Sequence, residues 1–136
     1  MQDIIQTTVG VFIRDGKVLM EKRRANKKVY PNFLMCPSGH VEGVEELDET
    51  FRREMKEELG IDVIKTKFLF AIEDTDPVSR LKFLHNFLLV GAFKGEINTS
   101  KEADTLVWKS FSELEKEELC LIVRKLVTRL HEEELF

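Results

Sequence analysis

The chain has only two cysteines, Cys36 and Cys120, and no Cys-x-x-Cys pair. A disulfide framework is therefore not what organises it, and both thiols read as reduced core residues. No apolar run approaches the roughly 18 residues of a membrane span. The start, MQDIIQTT, lacks a basic segment followed by an apolar one, so it does not read as a signal peptide. These absences point to a cytoplasmic protein with no membrane attachment. Positive charge is not in excess either. The 21 Lys and Arg face 25 Asp and Glu, for a formal net charge of -4. That balance argues against general nucleic-acid binding. No repeat, low-complexity tract or linker divides the 136 residues, so residues 1–136 read as a single domain.

What is present is enough for a core: 43% of residues are hydrophobic, ten of them Phe. TTVGVFIR alternates, placing Val9, Val11 and Ile13 on one face of a strand. Asp15-Gly16 is a hairpin turn, and KVLMEKR returns as the partner strand. RRANKKVYPN reads as a polar loop and FLMCP as a short strand that stops at Pro37. A helix is predicted from about Glu46 to Leu59, closed by Gly60. Two long apolar strands follow, VIKTKFLFAIED and LKFLHNFLLVGAF, separated by a break at TDPVSR. TLVWKS is a last strand, and residues 117–133 form a closing helix with Leu119, Ile122, Val123, Leu126 and Leu130 on one side. Mixed strands with two helices imply an α/β sandwich.

Eight carboxylates crowd between Glu42 and Glu58, against only Arg52, Arg53 and Lys56. On a helical projection, Leu47, Phe51, Met55 and Leu59 make an apolar stripe. Glu49, Arg52, Arg53 and Lys56 fall on the solvated side, whereas Glu54, Glu57 and Glu58 border or overlap the stripe. Glu54 and Glu58 are a like-charge i,i+4 pair, which costs roughly 0.2–0.5 kcal/mol in an isolated helix. Glu57 and Glu58 also occupy the last turn, where the helix dipole favours cations by roughly 0.3–1 kcal/mol per charge. Arg53 would neutralise one neighbour at most. A positive partner is therefore expected, and Mg²⁺ suits it, since it takes a few carboxylates and completes its shell with water and substrate phosphate. Mn²⁺ is the alternative metal. The plain alternative to a site is an amphipathic helix with a charged surface. Glu46, Asp48 and Glu49 read as favourable helix-start charges.

The spacing narrows this choice. Gly39, five residues, Glu45, seven residues, Arg53-Glu54-Met55, one residue, Glu57-Glu58, one residue and Gly60-Ile61 resemble a complete Nudix box of 23 residues. The resemblance implies the Nudix fold, a mixed β-sheet sandwiched between α-helices. It also implies hydrolysis of a pyrophosphate linkage in a nucleoside diphosphate joined to a further group. Glu54, Glu57 and Glu58 would then hold metal with the Gly39 carbonyl, and one of them would act as general base. Arg53 would pair with Glu45 and hold the loop against the helix. Glu102, six residues before Trp108, stands where the MutT branch places a further acid for metal or base. A solvated loop acid is the plainer reading of it.

The stretch RRANKKVYPNFLMCPSGHVE is similar to the MutT branch without a gap, at Arg23-Arg24-Ala25, Asn32, Leu34, Pro37, Gly39 and Glu42. The resemblance makes Arg23 and Arg24 substrate contacts, apt for phosphate. Ser38 replaces the first Gly of the usual Pro-Gly-Gly and would bring a hydroxyl near phosphate. His40 and Tyr30 are further substrate-side candidates, Tyr30 as a stacking ring. No Asn or Asp follows Trp108, which sets the chain apart from readers of oxidised guanine. Trp108 and Cys36 read as core, and His85, alternating with apolar residues, faces either solvent or the opposite sheet face.

A small nucleoside triphosphate, cleaved to nucleoside monophosphate and pyrophosphate, ranks first as substrate. ADP-ribose or another NDP-sugar ranks second, on Pro77 sixteen residues past the box. DTDP reads equally as a turn there. A nucleotide sensor without turnover would have lost box acids, and an RNA-decapping enzyme would need a wider basic surface than Lys22–Lys28. The oligomer is read as a monomer or a homodimer.

Overall fold

The computed structural model describes residues 3–26, 32–97 and 105–136. Two four-stranded sheets form the body. The first has the order β5-β1-β7-β6, built from β1 (Ile5–Val11), β5 (Ser38–His40), β6 (Asp62–Thr75) and β7 (Lys82–Lys94). It is mixed: β1 runs parallel to β7 and antiparallel to β5, and β6 pairs antiparallel with β7. The second sheet joins β2 (Ile13–Arg14), β3 (Lys17–Lys22) and β4 (Leu34–Met35), with β8 (Thr105–Ser110) on the other side of β3.

The N-terminal alternation is realised across both sheets. Val9, Val11 and Ile13 all join one apolar cluster, while Phe12 joins the other. Every residue from Thr7 to Val11 is buried, because helices cover both faces. Asp15 and Gly16 take left-handed values, φ 51° and 73°, as the two-residue hairpin turn requires.

Helix α1 (Leu47–Leu59) buries Phe51, Met55 and Leu59 against Phe12, Leu19, Val63 and Leu88. The chain closes differently from the expected single helix over residues 117–133. A short helix α2 (Phe111–Glu115) comes first, and α3 runs only over Leu121–Glu132. The reason is local. Ser110 caps α2, its hydroxyl accepting from Glu113 N–H at 3.2 Å while Glu113 returns a bond to Ser110 N–H at 3.1 Å. That reciprocal cap starts a helix where the sequence reading saw the end of a strand. Helix α3 places Ile122, Val123, Leu126, Val127 and Leu130 in the cluster with Val9, Val11 and Phe87. The sheets therefore lie between α1 and α3, the expected α/β/α arrangement.

Candidate active site

The site grows from the loop between β5 and α1. Helix α1 begins at Glu46, whose N–H donates to Glu49 Oε1 at 3.3 Å, and ends at Gly60, which is left-handed at φ 71°. Just before it, Glu45 is anchored on both sides: Glu42 N–H and the Thr50 hydroxyl each donate to Oε1 at 2.9 Å. Arg53 meets it as a fork, Nε donating to Oε2 at 3.0 Å and an Nη to Oε1 at 2.9 Å. This is the expected Arg53–Glu45 pair. It holds the Glu45 carboxyl down at a pKa of about 2, the Arg53 hydrogen bond being the largest cause. Arg53 is pushed above its ordinary value for the same reason.

Arg53 does more than the helical projection allowed. It is half-buried rather than solvated, and it does not serve one neighbour only. An Nη donates to Glu54 Oε1 at 2.8 Å, Glu57 lies 3.6 Å away and Glu42 3.8 Å away. The His40 carbonyl accepts a further bond at 3.4 Å. A planar five-donor group can fork in several directions at once, which a point charge could not. Thr50 is the residue the sequence reading missed here. A hydroxyl five residues after Glu45, one turn into the helix, was the available signal.

Glu54 lies deeper than Glu57, its side chain 14% exposed against 60%. Desolvation raises its pKa, with the Arg53 hydrogen bond opposing. Its carboxylate rests against Gly39: a β-carbon there would overlap the side chain, Oε2 lying 2.7 Å from it. Gly39 is needed for close approach, since its φ is not left-handed. Glu58 is half-buried on the next turn.

Ser38 and His40 flank Gly39 on β5, half-buried and exposed respectively. Arg23 and Arg24 follow the end of β3. The Arg23 backbone is closed onto the next strand, its N–H donating to Phe33 O at 2.9 Å and its carbonyl accepting from Asn32 at 3.1 Å. Tyr30 and Glu102 lie outside the described residues. Cys36 is fully buried beside Met20, and desolvation pushes its thiol far up, so it is a core residue and no nucleophile. Of the two expected placements of His85, solvent is excluded: it is buried beside Phe83 and Phe87 and bonded to Thr7 at 2.7 Å. Pro77 sits in a closed turn, with Asp76 accepting from Ser79 and Arg80 and donating to Leu81 O.

Among the described residues, no three acidic, histidine or cysteine side chains converge as a ready metal cage. Glu54 is turned onto Arg53, and Glu57 stands in solvent. The donor set is nonetheless all oxygen: three carboxylates on one helix end and the backbone of Gly39. That chemistry fits a hard divalent cation that keeps water and takes phosphate oxygens, better than it fits zinc.

Residues 5–130 match the family described as NUDIX domain. The chain is 29% identical over 100 residues to an 8-oxo-dGTP diphosphatase of Buchnera aphidicola subsp. Schizaphis graminum, covering 74% of this chain and 72% of that one. It is 27% identical over 114 residues to the nucleoside triphosphatase NudI of Klebsiella pneumoniae, covering 77% and 81%. The crystal structure of a MutT protein from Methanosarcina mazei Go1 superposes with a TM-score of 0.84 at 21% identity, over 98% of this chain and 96% of the other.

Proposed function

Since the chain belongs to the NUDIX family and is a hydrolase of a pyrophosphate bond, we propose that its substrate is a nucleoside triphosphate, cleaved to nucleoside monophosphate and pyrophosphate. The carrying observation is the Arg53 cluster, which joins Glu45, Glu54 and Glu57 beside the Gly39 backbone. Two relatives named for triphosphate chemistry support the substrate class.

Glu54, Glu57 and Glu58 would hold the divalent cation, Mg²⁺ first and Mn²⁺ second, with the Gly39 carbonyl. When bound, it supplies charge neutralisation of the pyrophosphate and acidifies water. The remaining work belongs to the chain. Arg53 fixes the carboxylates relative to β5, so they need not reorganise during reaction. Glu54, with its pKa raised by desolvation, is suited to take the proton of the attacking water. Arg23 and Arg24 bind the phosphates, and Ser38 and His40 line their path. Glu102 and Tyr30 remain candidates for a further acid and a stacking ring.

A hydrolysis panel with and without Mg²⁺ tests this, using nucleoside triphosphates, 8-oxo-dGTP, ADP-ribose, NDP-sugars and dinucleoside polyphosphates. Nucleoside monophosphate and pyrophosphate should be released from triphosphates. Glu57→Gln should abolish turnover and leave the melting curve in place. Cleavage of ADP-ribose alone would overturn the substrate class, and undiminished turnover by Glu57→Gln would overturn the metal assignment.

A further inference from the structure

Thr8 on β1 is fully buried, yet its hydroxyl makes no hydrogen bond among the described residues. Buried hydroxyls nearly always have a partner, and leaving one without costs free energy. Valine has the same shape and no such cost, so packing alone would favour it at position 8. The neighbouring strands do not satisfy the group. On one side Thr8 pairs with Asn86 of β7, whose side-chain N–H groups go to Thr7 O at 2.9 Å and Gln6 Oε1 at 3.3 Å. On the other side it pairs with Gly39 of β5, which has no side chain to offer.

The hydroxyl lies under the active site. Thr7 turns to His85, so Thr8 turns to the opposite face of the sheet. Helix α1 covers that face. Two residues along β1, a β-carbon at Gly10 would meet Phe51 of α1 at 2.8 Å. Across the strand pair, the space over Gly39 is filled by the Glu54 side chain. Paired residues share a face, with β-carbons about 5 Å apart. Thr8 therefore stands beside the place that Glu54 occupies. Glu54 is held there by Arg53, which donates to its Oε1 at 2.8 Å.

We propose that Thr8 is a positioning residue for the divalent cation: its hydroxyl donates to the Glu54 carboxylate in the cation-bound chain, in place of the bond that Glu54 gives up at Arg53. The inference rests on the metal reading of the active site. A guanidinium bound to a carboxylate offsets its charge. A hydroxyl donor orients the same carboxylate and leaves it the charge that a hard cation attracts. Hydrogen bonds to a ligating carboxylate fix its aim in this way. Being buried, Thr8 acts only through Glu54.

The test is equilibrium binding of Mn²⁺ alone, by calorimetry, to the full chain. Thr8→Val should weaken Mn²⁺ by about tenfold or more, the usual loss when a ligand's supporting bond is removed. Thr8→Ser keeps a hydroxyl and should stay within about threefold of wild type. In chelator, Thr8→Val should melt no lower than wild type, because the hydroxyl it removes has no partner there. Weaker metal binding in a fold that is no less stable is a pairing that a packing role does not produce. Thr8→Ala removes the same hydroxyl and should lose Mn²⁺ affinity by a similar factor, which decides the case even where Thr8→Val does not fold. Unchanged Mn²⁺ affinity in Thr8→Val, an equal loss in Thr8→Ser, or a lower melting temperature for Thr8→Val in chelator would overturn the proposal. Unchanged Mn²⁺ affinity beside normal triphosphate hydrolysis would sink this inference and leave the function standing. No Mn²⁺ bound by the wild type would overturn the metal assignment and this inference with it.

Discussion

A single methyl group at Gly39 should separate the site's chemistry from the fold. Gly39→Ala keeps an allowed backbone conformation, but its new carbon overlaps the Glu54 carboxylate. Glu54 would have to leave both Gly39 and the Arg53 fork. The expected outcome is a loss of turnover of at least about tenfold, with a stability loss of about 1–3 kcal/mol typical of overpacking. Urea denaturation beside steady-state kinetics checks both. Unchanged turnover would show that Glu54 acts from another position. At this scale the box acids and the Arg53–Glu45 pair were legible, since residues eight apart around one helix start are constrained by local geometry. Thr50 was not, because a threonine inside a helix usually reads as packing. His85 was harder still. Its bond is to Thr7, 78 residues away in the chain, and no local pattern carries that contact.

Helix α1 works as an element because both its ends are fixed. Its start is tied by Glu45 and Glu49, and its flank by Arg52. Arg52 donates to Asp48 at 2.7 Å and also to the carbonyls of Val63 and Ile64 on β6. Those carbonyls belong to an edge strand, so Arg52 also occupies part of an edge that would otherwise template pairing. The end depends on Gly60, at φ 71°, whose N–H donates to Lys56 O at 3.1 Å. Gly60→Ala forces a side chain into the left-handed region and should cost about 1–2 kcal/mol. The loss should appear as a lower urea midpoint with an unchanged slope. Turnover should fall less than for Gly39→Ala, since Gly60 carries no reacting group; a larger fall would mean that the last turn, with Glu57 and Glu58, shifts when its terminator changes. The helix and its stop were readable because apolar spacing and a terminal glycine agree. The closing segment was not, because the reciprocal cap at Ser110 and Glu113 competes with strand and long-helix readings that look alike in sequence.

For the molecule as a whole, the active-site charges should leave a mark on stability against pH. Glu45 has its folded pKa lowered from 4.5 to about 2 by Arg53 and by Glu42 N–H. A carboxyl whose folded pKa is depressed stabilises the fold above its unfolded value, and that contribution is lost as pH falls through the folded value. Glu45→Gln removes the charge but keeps a hydrogen-bonding group of similar shape. The variant should therefore be less stable than the wild type at pH 7, with the gap nearly constant down to about pH 5. Between 4.5 and 2 the gap should close. Glu54 has the opposite sign. Its pKa is raised by desolvation, so its ionisation works against the fold once pH rises past the ordinary carboxylate value. Glu54→Gln should accordingly cost little stability at neutral pH, although it removes the proposed proton acceptor. Denaturation of both variants from pH 7 to pH 2, in chelator so that no metal masks the carboxylates, measures the two slopes. Parallel curves for Glu45→Gln and wild type across the acid range would mean that the Arg53 fork does not set the Glu45 charge. A large neutral-pH loss in Glu54→Gln would mean that its bond to Arg53 outweighs its burial. The expected divergence, one carboxylate stabilising the fold and its neighbour taxing it, is what a site arranged for proton transfer beside a fixed charge should produce.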